Sequence, residues 1–333
     1  MQNILITGGA GFIGSHTCLK FLEKGFNIYI ADSFINSSKK VFERIKKITD
    51  IYGFHDQKNI NIFEGDIRDN KFLENIFLEA SKKNEAIDGV IHFAGLKAVA
   101  ESTFKPIKYW DVNVNGSINL LKVMQKNNCK TILFSSSATV YGTSNEIPFK
   151  ESHLLKPINP YGHTKATIEK ILNNIFDSES QSWRICKLRY FNPIGAHPSG
   201  LIGEEPNSNP QNIFPIILKV AAGLKNKLFI YGNDWPTPDG TCRRDYIHVS
   251  DLAEAHMKAM EYISKENNCN LTLNVGTGES ISVLELIKTF EKVNKIKINF
   301  EFENRRDGDV AISFADTSEL IKKLNWRPEK SLE

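Results

Sequence analysis

Tyr161 and Lys165 stand four positions apart in the segment NPYGHTK, directly after Pro160. Residues at i and i+4 share one face of a helix, so a helix beginning near the proline makes the phenol and the ammonium neighbours. A free phenol titrates near pH 10, and a base useful at neutral pH needs a shift of about three units, or ~4 kcal/mol. A unit positive charge about 4 Å away supplies stabilisation of that order at an effective dielectric near 20. The spacing therefore predicts a tyrosinate at position 161, made by Lys165. His163 lies two positions from the tyrosine, near the opposite helix face, and is not the expected base despite its convenient ordinary pKa. An isolated Y-x-x-x-K is a frequent chance pattern, so the reading depends on the rest of the chain. Upstream, the apolar run Thr131 to Phe134 opens into Ser135, Ser136 and Ser137, followed by Ala138, Thr139, Val140, Tyr141 and Gly142. Hydroxyls at the carboxyl end of a strand sit where parallel sheets place ligands, and Ser137 could share a substrate proton with Tyr161.

A second constellation opens the chain. NILITGGAGFIGSH runs an apolar strand into Gly8, Gly11 and Gly14 and then into a helix-periodic segment. Glycines so spaced allow a tight turn, close approach of a pyrophosphate and close packing of helix on strand, with the helix N-terminus facing the anion. Plain strand-to-helix connections use such turns too, but Asp32 follows about 20 residues on, at the end of the second strand-like run. A carboxylate there accepts bonds from an adenosine ribose and repels a 2'-phosphate, which favours NAD over NADP. Lys39 and Lys40 come next and could soften that preference; their plain reading is a solvated helix face. An oxidised nicotinamide ring near Tyr161 would add a second positive charge to that of Lys165.

These residues need a scaffold, and the pattern of the first 190 residues supplies one. Short β-rich runs alternate with helix-like segments, as in a parallel sheet wrapped by helices. Strands are expected at Ile4 to Thr7, Asn27 to Ala31, Ile60 to Phe63, Gly89 to Phe93, Thr131 to Phe134 and Arg184 to Arg189. The firmest helices are Gly11 to Lys24 and Ile107 to Lys126. After Asn192 the alternation weakens, and Gly, Pro and Asn crowd the segments His197 to Asn212 and Asn233 to Gly240, so a second, smaller unit is expected to start there. No internal repeat is present. With 333 residues, 41% of them hydrophobic, the chain can bury a large core or two unequal ones. The 42 basic and 39 acidic side chains nearly balance, which gives nucleic-acid or membrane binding no support. Five scattered cysteines without C-x-x-C spacing suit reduced thiols. The start of the chain is too short and uncharged an apolar run for a secretory signal, and no long apolar segment follows, so a soluble cytoplasmic protein without a metal site is expected.

The motifs TGGAGFIG, Asp32, GDIRD (Gly65 to Asp69), HFAGLKAV (His92 to Val99), FSSSATVYG, YGHTK, RYFNPIGAHPSG (Arg189 to Gly200), RRDYIHVSDLAEAH (Arg243 to His256) and NRRDGD (Asn304 to Asp309), taken in order, resemble the extended short-chain dehydrogenase/reductases. Within that group they are similar to the epimerases that invert C4 of UDP-hexoses. The resemblance spans nearly the whole chain. It implies an α/β fold, a Rossmann-type doubly wound parallel sheet with a smaller C-terminal α/β unit. Residues 1–193, with about 241–262, would form the NAD unit, and 194–240 with 263–333 the UDP-sugar unit.

Carried over by resemblance, Tyr161 is the base, Lys165 orients the nicotinamide ribose, and Ser137 assists. Gly8, Gly11 and Gly14 would hold the pyrophosphate, Asp32 the adenosine ribose, and Asp66 with Ile67 the adenine, and Phe12, Ile13, Asn36 and Ser37 would also bind the cofactor. Phe93, Ala94, Gly95 and Lys97 would line the nicotinamide half with Asn113 packing nearby, and Ser135 and Tyr190 would also bind the cofactor. The sugar nucleotide would meet Lys97, Ser137, Ala138, Thr139, Tyr161, Asn192, Asn212, Ile213, Tyr231, Arg244, Arg306, Asp309 and Ser313. Paired bonds from arginine suit a diphosphate, and a carboxylate suits a ribose. Asp251 and Ser250 are expected only to cap the following helix, and His248 to be structural. The implied reaction oxidises C4 to a ketone and reduces it on its other face.

Two rivals remain open. Sugar-nucleotide 4,6-dehydratases begin with the same oxidation but place an Asp-Glu pair where this chain has Ala138 and Thr139. A non-catalytic nucleotide-binding module usually loses the tyrosine or the lysine, and this chain keeps both. Ser313, small where the family can carry a bulky tyrosine, predicts room for an N-acetyl group on the sugar's C2. A homodimer is expected, and the chain stops soon after LNWRP, earlier than expected for the family.

Overall fold

The computed structural model describes residues 2–53, 60–143, 146–179, 182–205, 212–306 and 308–333. Residues 206–211 of the Asn-rich segment and Asp307 of NRRDGD lie outside the described residues.

The first half alternates as expected: β1 (Asn3–Thr7), α1 (Phe12–Glu23), β2 (Asn27–Asp32), α2 (Lys40–Tyr52), β3 (Ile60–Glu64), α3 (Asn70–Lys82) and β4 (Gly89–His92). Then come α4 (Val99–Phe104), α5 (Pro106–Tyr109), a π-helical segment (Trp110–Asn115), α6 (Gly116–Lys126), β5 (Thr131–Ser137), a 3-10 turn (Ala138–Tyr141), α7 (Pro160–Ser178) and β6 (Arg184–Tyr190). The second half contains β7 (Asn192–Ile194), α8 (Ile213–Ala221), β8 (Leu228–Tyr231), β9 (Arg243–Arg244), β10 (Tyr246–His248), α9 (Val249–Lys265) and β11 (Cys269–Val275). It closes with β12 (Ile281–Ser282), α10 (Val283–Asn294), β13 (Phe300–Glu303), β14 (Ile312–Ser313) and α11 (Ser318–Leu324).

Seven strands form one parallel sheet in the order β11-β6-β5-β4-β1-β2-β3. Its inner strands β1, β2 and β4 are near-continuous apolar runs because both faces are covered. Alternation divides them: Ile4, Ile6, Ile28 and Ile30 pack with α1, α2, α9 and α11, while Leu5, Tyr29 and Ala31 pack with α3, α6 and α7. The strand order reverses between β1 and β4, the switch point at whose carboxyl ends open α/β sheets place ligands. A separate apolar core joins Ile217, Val220, Leu228, Ile230, Cys242, Tyr246, Leu286 and Ile298.

Four expectations are corrected. β5 runs on through Ser137, so the three serines belong to the strand rather than to the turn after it. The helix expected over Ile107 to Lys126 is interrupted by the π segment. Cys269–Val275, assigned above to the smaller unit, is an edge strand of the large sheet, paired with β6 over its whole length. Cys242 and Tyr246, assigned to the larger unit, pack in the smaller core. All five cysteines are free, and no helix of the described residues is long and apolar enough to cross a membrane.

Candidate active site

The turn after β1 needs its glycines for two separate reasons. Gly8 has φ +72° and a Cβ there would lie 2.7 Å from the Ala94 nitrogen, while a Cβ on Gly14 would meet Gly9 Cα at 2.9 Å. Around Gly11 the space is open except for the Gly8 carbonyl at 3.4 Å. Gly11 is the N-cap of α1, and the helix start carries neither a side-chain cap nor an acid, so the first-turn N–H groups of Phe12 and Ile13 face that space. Such a cradle fits a pyrophosphate.

Asp32, 7% exposed at the end of β2, accepts the N–H of Ala10 (2.9 Å) from this turn, the N–H of Phe34 (2.9 Å) and the Ser37 hydroxyl (3.0 Å). A carboxylate has about four lone-pair positions, so capacity remains for a ribose hydroxyl. Asn36 beside it is exposed. Lys39 is drawn aside to Glu64 at 2.5 Å. Asp66 is bound by Arg68 (2.6 Å), whose hydrogen bond holds its carboxyl below the usual range, and Ile67 is buried under Gly116.

After β4, the backbone N–H groups of Phe93 and Ala94 both donate to the Thr7 carbonyl (3.0 and 3.1 Å). Gly95 lies against Asn113, which projects from the π segment, accepts from Leu96 N–H (2.8 Å) and donates to the Leu96 carbonyl (3.1 Å) and the Thr164 hydroxyl (3.0 Å). Asn113 thereby ties the 93–97 loop to α7. Tyr190, at the end of β6, is bonded through its hydroxyl to His256.

Asn159 caps α7 by accepting the Gly162 N–H (2.8 Å), and Pro160 occupies its first turn, so the helix begins where the sequence requires. Lys165 is buried and donates to the Ser135 carbonyl (2.8 Å), with its nitrogen 4.9 Å from the Phe134 ring centroid and 5.9 Å from that of Tyr161. Burial lowers its pKa to about 8, against which Glu169 raises it. Ser137 accepts from the Thr139 N–H (3.2 Å) and hydroxyl (3.0 Å), which leaves its own hydrogen for the Tyr161 oxygen.

The direction of the Tyr161 shift reverses the expectation. Tyr161 keeps some exposure as a residue, yet burial is the largest influence on its phenol and pushes it up, while the Ser137 bond pulls it down. Spacing places the cation but carries no information on desolvation. The ammonium stands 5.9 Å from the ring centroid, farther than the contact distance assumed, and burial outweighs it. His163 is exposed, as its position predicts.

A third group lies in the second half. Arg244 donates to the Val310 carbonyl (2.8 Å) and stands 3.5 Å from Asp309, which Arg306 also meets at 3.0 Å. The Arg306 guanidinium lies 4.6 Å from the centroid of Tyr231. Ser313 pairs with Arg244 in the β14–β9 register, and the Asn192 N–H donates to the Asp245 carbonyl (2.9 Å). The structure thus gathers Tyr231, Arg244, Arg306, Asp309 and Ser313, with Asn192 nearby in the chain's pairing. Asn212 and Ile213 begin α8, where the Asn212 amide shares one oxygen of Glu204 (2.8 Å) with Lys97 (3.1 Å). Ala138 and Thr139 form the 3-10 turn after β5 and carry no acid.

From residue 5 to residue 333 the chain matches a family model described as GDP-mannose 4,6 dehydratase. A Bacillus subtilis UDP-glucose 4-epimerase is 45% identical over 330 residues, covering 99% of this chain and 93% of that protein. The chain belongs to the UDP-glucose 4-epimerase family. Two solved structures in that family are similar throughout. The Bifidobacterium longum UDP-glucose 4-epimerase in complex with NAD+ and UDP is 44% identical, with a TM-score of 0.92, over 99% of this chain and 95% of that one. The Stenotrophomonas maltophila UDP-glucose 4-epimerase with bound NAD and formylated UDP-arabinopyranose is 43% identical, with a TM-score of 0.93, over 100% and 95%.

Seen as a UDP-glucose 4-epimerase, the chain holds four polar residues that the sequence reading missed. Glu204 links Lys97 to Asn212, and Glu169 with Arg189 lies behind the serines. Asp245 is fully buried and accepts from Thr277, Gly278 and Ala315, fixing the loop after β11. Glu169 extends the Tyr161–Lys165 spacing by four more positions, a signal legible in sequence. The capping expectation is also corrected: His248 caps α9 by accepting the Ser250 N–H (3.1 Å), Ser250 Oγ has no partner, and Asp251 accepts the N–H groups of Glu329 (3.0 Å) and Lys330 (2.8 Å).

Proposed function

We propose that this chain inverts C4 of UDP-hexoses, interconverting UDP-glucose and UDP-galactose with NAD held at the turn after β1. The observation that carries the reading is the joint placement of Tyr161, Lys165 and Ser137 at the carboxyl end of β5, beside the switch point of the sheet. NAD, when bound, supplies reversible hydride acceptance at the sugar's C4. Tyr161 takes the C4 hydroxyl proton and later returns it, and Ser137 donates to the phenolate. Lys165 holds positive charge beside the phenol, and an oxidised nicotinamide brought to the site adds to it against the effect of burial. Arg244 and Arg306 grip the diphosphate, so the hexose, held by few charged groups, can present either face of its ketone. The net change is inversion with no cofactor consumed. Ala138 and Thr139 offer no acid-base pair for water elimination, which disfavours the dehydratase outcome.

The small Ser313 supports acceptance of UDP-GlcNAc and UDP-GalNAc. The purified protein, given UDP-galactose and UDP-GlcNAc separately without added NAD, is expected to convert both, as read by chromatography. Ser313→Tyr is expected to keep the first reaction and slow the second by at least tenfold or so. No conversion of UDP-galactose would sink the functional reading; equal rates of parent and variant on UDP-GlcNAc would sink the specificity reading alone.

We also propose a homodimer acting in the reducing cytoplasm, supported by the free cysteines and by Phe104 and Ile107, which are 85% and 84% exposed on adjacent short helices. Light scattering is expected to give twice the single-chain mass, and Phe104→Glu with Ile107→Glu to halve it; an unchanged mass in that variant rejects this face as the contact.

A further inference from the structure

Glu169 lies one helical turn beyond Lys165 on α7 and is 2% exposed. Its carboxylate accepts from the Ser136 hydroxyl (2.5 Å) and from two nitrogens of Arg189 on β6 (3.0 and 2.6 Å). Arg189 goes on to the Tyr141 hydroxyl (2.9 Å) and the Glu151 carbonyl (3.0 Å), and Tyr141 donates to Asn274 (2.6 Å). Successive strand residues point to opposite sides, so the middle serine is anchored by Glu169 while its neighbours serve the reaction. The Ser135 carbonyl receives Lys165, and the Ser137 hydroxyl partners Tyr161. A buried ion pair is costly to desolvate and is weak evidence for stability, so its place behind the serines calls for another role.

We propose that Glu169 is a positioning residue that holds Lys165 as the ammonium and fixes Ser135 to Ser137, and so sets the alkaline limit of the reaction. This rests on the functional reading above. Tyr161 and Glu169 from α7 and His92 from β4 are the titratable groups around Lys165, and Arg189 and Lys187 from β6 face Glu169. His92 is buried and neutral. Glu169, one helical turn from Lys165 and bonded to Ser136 and Arg189, is therefore the carboxylate whose charge acts on Lys165 among the described residues. The sign follows. The reaction needs Lys165 charged, an anion nearby raises the pH at which the proton leaves, and its removal makes activity fall at lower pH.

The test is kcat/KM on UDP-galactose from about pH 6 to about pH 10 for the holoenzyme, Glu169→Gln and Glu169→Asp. Glu169→Gln is expected to move the alkaline fall down by about one pH unit, and Glu169→Asp to leave it in place. Should Glu169→Gln fail to fold because Arg189 is left unpaired, the double variant Glu169→Gln, Arg189→Gln carries the same expected direction without a lone buried charge. A folded variant lacking the carboxylate whose alkaline fall coincides with the parent's overturns the proposal, as does an aspartate variant shifted as far as the glutamine one. A parent inactive at every pH overturns the functional reading instead, and removes the reaction that Glu169 would serve.

Discussion

Tyr161→Phe is expected to lower kcat for C4 inversion of UDP-galactose by about 1,000-fold, or ~4 kcal/mol of barrier, with KM within a few-fold of the parent. The ring of phenylalanine fills the same volume, so α7 and its Asn159 cap are undisturbed. What disappears is the oxygen proposed to exchange the C4 proton, which is also the partner of Ser137. The loss falls on kcat because the groups proposed to grip the diphosphate, Arg244 and Arg306, belong to other elements and keep their contacts with Asp309. Steady-state kinetics on the variant, with NAD content measured alongside, checks this. A variant as fast as the parent would remove Tyr161 from the chemistry.

The second large effect is on stability in acid. His16, His92 and His256 are 3%, 1% and 0% exposed, and burial lowers their pKa values from 6.5 to about 4, about 3 and about 4. Their hydrogen bonds suit the neutral ring. Nδ1 of His16 (2.8 Å) and of His256 (2.7 Å) each face a carbonyl, which only accepts, so Nε2 is the bare nitrogen; in His16 it is buried with no partner. Ser117 spends its hydrogen on the Asn113 carbonyl (2.5 Å), so His92 Nε2 donates to it (2.8 Å) and Nδ1 accepts from Thr7 (2.7 Å). A base whose folded pKa lies below its unfolded value contributes stability that is present above the unfolded value and lost as pH falls through the interval. At about pH 4.5 each histidine has cost about 2.5 kcal/mol relative to neutral pH, and the three together approach the whole stability of a typical domain. Thermal melts are expected to show the melting temperature falling steeply from pH 6.5 to about 4.5. A flat profile over that window would refute the assignment of these rings as buried neutral bases.

Much of the scaffold could be read from sequence because strands covered on both faces are apolar throughout, as in NILIT and NIYIAD. β11 escaped for the converse reason: CNLTLNV sits at the sheet edge, its first half is partly exposed, and it reads as a polar loop. The π segment has no compositional mark and shows itself only through the bonds of Asn113. The phenol, ammonium and serines were legible as a set because spacing and a strand end bring them together. The sign of the Tyr161 shift was not, since desolvation depends on everything packed around the ring. Glu204 and Asp245 look like surface charges in one dimension; their partners arrive from as far as 107 positions away, as Lys97 does for Glu204.

The return of β11 to the large sheet bears on how such a protein can be rearranged. The chain leaves that sheet after β6, builds much of the smaller core, and comes back to complete the edge before leaving again. A single junction near residue 193 therefore cannot separate the two cores, because it would strip β6 of its outer neighbour and bare seven residues of unpaired ladder.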